Sequence, residues 1–178
     1  MPIIKNRRNA VIAVGVLFVL ILGAGVAWFG YWSVVDSRNP YGGHNSYGMR
    51  DYTRDVQEKS ANAIVAGLNS GNPDDVDLMR NHSGNADREA DNARITANIE
   101  AVLPPPGCRY ELEGIEDKGE QDPAAVPWFG GPTHARGFDM KLRQLCTGGP
   151  PTQRAIRVIA IPSGMGGYWA AAALQALN

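Results

Sequence analysis

Cysteine and histidine are scarce in this chain, with two of the first and three of the second among 178 residues. Two cysteines without neighbouring histidines supply too few ligands for a zinc site. Neither sign of charge is in surplus: 17 Lys and Arg stand against 18 Asp and Glu, a net charge of -1. Binding a phosphate backbone needs a clustered cationic excess, so nucleic acid is excluded as a partner. There is no G-x-S-x-G elbow, no H-E-x-x-H and no P-loop, which removes the common hydrolase, zinc-protease and nucleotide-binding signatures. The length suits about one domain rather than a multidomain enzyme. Hydrophobic residues at 44% and charged residues at 20% are an ordinary globular composition.

Charge is missing most conspicuously from Ala10 to Trp32, 23 consecutive residues (AVIAVGVLFVLILGAGVAWFGYW). As a helix this run is roughly 34 Å long, enough for a hydrocarbon core of about 30 Å. It has no polar face to turn to water, and it predicts a transmembrane helix over 10–32. Trp28, Phe29, Tyr31 and Trp32 place aromatic rings at the membrane-water boundary. Lys5, Arg7 and Arg8 precede the run. The excess of positive charge on that side predicts a cytoplasmic tail, 1–9, and an extracytoplasmic remainder of a single-pass protein. A cleaved signal peptide is the alternative, with Gly25-Val26-Ala27 as a weak cleavage site. The run exceeds the usual apolar length of signal peptides and continues into aromatics, which favours the uncleaved anchor. No cysteine lies just after the run, so a bacterial lipoprotein is excluded. Gly23-x-x-x-Ala27 is a spacing that lets membrane helices pack closely. Beyond residue 32 the chain holds 14 basic and 18 acidic residues, a net of -4, which predicts an exported domain standing off anionic lipid.

The exported side is oxidising, so Cys108 and Cys146 are expected to form a disulfide. Cys108 opens an alternating run, CRYELEG, and Cys146 closes another, RGFDMKLRQLC. Both have the period of half-buried strands. Paired antiparallel with residue numbers summing to 254, Cys108 opposes Cys146, Tyr110 opposes Gln144 and Leu112 opposes Leu142. Opposed Cα atoms in such a ladder lie roughly 4.5–5.5 Å apart, within disulfide reach.

Residues 33–48, rich in Gly, Asn and Ser, read as a linker in which His44 is solvated. The exported domain spans 49–178. A helix is expected from Met49 to Leu68, ended by Gly71 in a left-handed conformation. Asn72-Pro73-Asp74-Asp75 reads as an N-cap, a first-turn proline and acids at the positive helix end. It predicts a short helix to about Asn81 burying Val76, Leu78 and Met79. Asp74, Asp75 and Asp77 serve that cap rather than a calcium loop. A third helix is expected from Ala86 to Leu103, with Ile95, Ile99 and Val102 inward and Pro104-Pro105-Pro106 as its stop. A first strand from Cys108 is followed by a long loop over 117–135. There Trp128 and Phe129 either fold back over the core or project as a contact point. Arg154–Ile161 reads as a strand. The last segment, 168–178, reads as a strand across a Gly-rich turn, with helix as the alternative. The fold class is therefore α+β: a membrane helix, then about three helices packed on a curved antiparallel sheet of three to four strands.

This order of helices and strands over 49–178, with its Asn72-Pro73-Asp74-Asp75 helix start, resembles the nuclear-transport-factor-2-like cone fold. That resemblance implies a sheet curved around helices to leave a cavity. The single amino-terminal anchor before such a domain is similar in layout to actinobacterial Mce-associated proteins and to the inner-membrane VirB-type secretion component. It implies an assembly role, docking other envelope proteins.

Catalysis in a cone cavity needs a general base. The candidates are Asp139, His134 and His82. Asp139 alternates with Phe138 and Met140 and so points away from the core face, while both histidines lie in breaks. The expectation is a bacterial envelope protein without enzymatic activity, cofactor or metal, which binds other membrane or envelope proteins. Its alternatives are a carrier of an apolar or lipidic ligand and an enzyme with an Asp or His base.

Overall fold

The structure, a computed structural model, describes residues 50–82, 84, 86–129, 134–163 and 167–177. The expected tail 1–9, the apolar run 10–32 with its Gly23 and Ala27 spacing, and the linker 33–48 lie outside the described residues. Among the described residues no helix is long and apolar enough to cross a membrane.

Helix α1 (Arg54–Ser70) repeats buried apolar residues at helical spacing, with Ala61, Ile64 and Leu68 fully enclosed. It ends as expected at Gly71, whose φ of 74° is the left-handed conformation glycine adopts without strain. Helix α2 (Arg88–Glu100) buries Ile95 and Ile99. It stops ahead of the prolines, which lack the N–H that would continue it.

These are the only two α-helices among the described residues, which corrects the three expected. The Asn72 cap forms, with its Oδ1 accepting from the Asp74 N–H at 3.1 Å. Yet this cap starts only a single 3-10 turn, Pro73–Asp75, and the chain then runs extended. Val76 and Leu78 are buried and Asp77 is exposed, the two-residue alternation of a strand. The Met79 N–H donates to the Ala171 carbonyl at 2.7 Å, so the sheet takes the donor a helix would have used. Gly67 of α1 lets this segment approach; a β-carbon there would sit 2.5 Å from the Asp75 carbonyl oxygen.

The sheet has four strands: β1 (Cys108–Gln121), β2 (Ala135–Cys146), β3 (Thr152–Ser163) and β4 (Tyr168–Leu177), antiparallel in that order. The last segment is thus a strand. Strand β1 runs farther into the charged residues than expected, to Gln121, so the expected loop over 117–135 does not begin at 117. The register is the one summing to 254 from Cys108↔Cys146 to Leu112↔Leu142. It then slips at Glu113 and again at Lys118, giving Ile115↔Met140 and Gly119↔Gly137. Each slip is a bulge that adds one residue to β1.

One face of the sheet presents Phe138, Met140, Leu142, Ile156, Val158 and Leu174, all buried. Helix α1 lies along β1 and α2 along β4. Burying each such side chain contributes about 1.5–3 kcal/mol.

Both outer strands are closed by asparagine. The Asn69 carboxamide of α1 accepts from the Tyr110 N–H at 2.7 Å and donates to its carbonyl at 2.8 Å. Asn98 of α2 does the same to Leu174 of β4, at 2.8 Å each way. A side-chain amide has the donor and acceptor of a peptide group, so each asparagine replaces one residue of a missing strand. Asn98→Ala should cost about 1–2 kcal/mol, because two edge groups lose their partner. Denaturant unfolding would measure it, and amide exchange at Leu174 should accelerate; an unchanged midpoint and exchange rate would refute this role.

Candidate functional site

The face of the sheet away from the helices carries charge over β1, β2 and β3. Asp139, as expected, points away from the main core. It is nonetheless only 7% exposed, because cations cover it. Arg157 on β3, paired opposite it, donates from Nε at 2.7 Å and from Nη2 at 3.1 Å, and Lys118 Nζ lies 3.5 Å away. Each carboxylate oxygen thus accepts one guanidinium N–H, a bidentate charge-assisted pair. The Asp139 carboxylate holds the Arg157 guanidinium above its usual range.

The lattice continues outward. Glu116 meets Lys118 and Lys141, and Glu111 meets Arg143 and Arg109. Hydrogen bonds from Arg143 and then Arg109 hold the Glu111 carboxyl below the ordinary carboxylate range, and those from Lys118 and Lys141 do the same for Glu116. These pairs are exposed, and solvent screens them. His82 is exposed in the segment before α2, and His134 is half-buried just before β2. Among the described residues no three His, Cys, Asp or Glu side chains are grouped to hold a metal.

At the other end of the sheet lies the expected disulfide, Cys108–Cys146, with Cα atoms 4.0 Å apart. Gln144, two residues before Cys146, places its amide nitrogen 3.3 Å from the Cys146 sulfur and accepts from Arg154 Nε at 3.2 Å. These side chains border a cleft of about 220 Å³ lined by Val102, Tyr110, Gln144, Arg154, Ile156 and Ala176. That is smaller than the roughly 300 Å³ at which small-molecule sites begin. A shallower depression of about 460 Å³ shares Arg154, Ala155 and Leu177 with it, but Glu113 and Lys141 also line it. Neither matches a cavity for an apolar ligand.

Two tyrosines are set into the helix–sheet seam. Tyr52 is 6% exposed and tilts against Phe138 and Trp169, with ring centres 6.1 and 5.6 Å away. The Tyr110 hydroxyl donates to the Val102 carbonyl at 3.2 Å. Burial pushes both phenols up from 10.0. A phenol whose folded-state value exceeds its unfolded value stabilises the fold fully below about pH 10, and that contribution is lost as pH rises further. Alkaline titration should therefore show some phenolate absorbance only together with loss of circular dichroism. Complete ionisation of a folded domain would refute it.

Trp128 and Phe129, half-buried, pack on a second core formed by Val126, Ala135, Ile159, Ile161, Ala172 and Ala173. The indole N–H donates to the Ala172 carbonyl at 3.1 Å. Of the two arrangements read from the sequence, these side chains adopt the one folded back on the sheet. The fold does not gather the sequence candidates into one centre. The Arg157 and Lys118 partners of Asp139, and Gln144 with Arg154, escaped sequence reading; the one available signal was the register, which sets Asp139 opposite Arg157 once β3 is aligned. No protein-family model, curated protein or solved structure matches this chain.

Proposed function

We propose that this is a membrane-anchored protein of a bacterial cell envelope whose exported part, 49–178, is a protein-binding module of a membrane complex. The observation that carries the reading is the Cys108–Cys146 disulfide in a chain whose uncharged stretch, 10–32, is preceded closely by Lys5, Arg7 and Arg8 and by no acid. Disulfides persist on the oxidising side of a membrane, and the charge asymmetry directs the carboxyl-terminal part to that side. The charged lattice from Glu111 to Arg157 adds support: it is a broad surface of both signs, suited to complementary pairing with a partner.

Topology and partnership are tested separately. A reporter enzyme active only outside the cytoplasm should work when fused after Asn178, and an inactive fusion would overturn the localisation. Cross-linking in native membranes and subsequent purification should recover a stable protein partner. Recovery of this chain alone would overturn the assembly role.

A further inference from the structure

Three buried polar atoms lack a protein partner in one region: the Tyr52 hydroxyl, Gln57 Oε1 and Arg136 Nε. Gln57 is the most informative of them, being 1% exposed. Its amide nitrogen donates to the Tyr52 carbonyl and to Asp117 Oδ1, at 3.1 Å each. Two acceptors on that side fix which end of the amide is nitrogen, because the flipped amide would press oxygen against oxygen. Oε1 is thereby turned away as an acceptor with nothing donating to it.

The other side chains converge on the same carboxylate. Arg136 Nη2 lies 3.8 Å from Asp117 Oδ2, and the Tyr52 phenol interacts with the charges of both Asp117 and Arg136. The Ser60 hydroxyl adjoins the phenol without meeting it in good hydrogen-bonding geometry. The cluster thus offers two donors, the Tyr52 O–H and the Arg136 Nε–H, and one acceptor, Gln57 Oε1. A cation would face the Arg136 guanidinium and the Tyr52 O–H. An anion would face Gln57 Oε1 beside the Asp117 carboxylate. A neutral molecule that accepts twice and donates once fits, and internal waters make about three such bonds.

We propose that Tyr52, Gln57 and Arg136 form a binding site for one internal water. This water ties the residues leading into α1 to the far end of the β1–β2 hairpin, where Asp117 and Arg136 lie. Its removal leaves a buried acceptor unmet, so the site is occupied whenever the domain is folded.

A crystal structure of the full chain that resolves ordered solvent tests the site. The expected result is a water within hydrogen-bonding distance of Gln57 Oε1 and of at least one of the two donors. Absence of that peak, or direct pairing of the three groups with one another, would overturn the site. In solution, the Gln57 side-chain amide protons of the full chain should show a cross-relaxation peak to a long-lived water. A signal of only fast-exchanging solvent would count equally against it.

Discussion

Replacing Cys108 and Cys146 together by serine is expected to lower the stability of the domain by about 4 kcal/mol. The bridge joins residues 38 apart in sequence, and releasing a loop of that size returns about this much chain entropy to the unfolded state. Native strain and residual denatured-state structure reduce the figure, so any loss above about 2 kcal/mol agrees with it. Equilibrium denaturation of the oxidised wild type against the double variant measures the difference. A loss below about 1 kcal/mol would mean that the β1–β2 ladder holds its own register without the covalent link. A parallel result is expected chemically: alkylation of non-reduced, unfolded protein should label neither cysteine.

Asp139→Ala is expected to be the most damaging single change on the charged face, at about 2–3 kcal/mol. The substitution leaves Arg157 and Lys118 facing each other over a residue that was 7% exposed. Removing one partner of an enclosed ion pair costs more than the pair contributes. Partial exposure of the Arg157 side chain, 28%, keeps the figure below that of a fully buried pair. Asp139→Leu combined with Arg157→Met should recover much of the loss, because apolar isosteres need no partner. If the double variant is as unstable as Asp139→Ala, packing rather than charge decides the site.

The ladder around the disulfide was legible because two constraints coincide there. Alternation fixes which side chains share a face, and a covalent bond between Cys108 and Cys146 fixes the register. That reading stops at Glu113, since a bulge among polar residues leaves no mark on the apolar pattern. The Asn72 cap was equally legible, but a cap only starts a turn. Whether the chain continues as helix depended on Ala171 of β4, remote in sequence, which takes the Met79 N–H. Asp139 was placed on the correct face by parity, yet its burial results from Arg157 and Lys118, which only the assembled sheet brings over it. Asn69 and Asn98 look like solvated helix residues until the edge strands beside them are known.

Those two carboxamides constrain how this domain meets other molecules. A foreign strand seeking to lengthen the sheet beside Tyr110 or Leu174 would first have to evict a side chain already making two bonds. Along the rest of β1, the kinks at Glu113 and Lys118 and their charges disfavour a flat approach. Recognition is thereby steered from main-chain zippering to side-chain chemistry, and fibre-like stacking of copies is hindered at both rims.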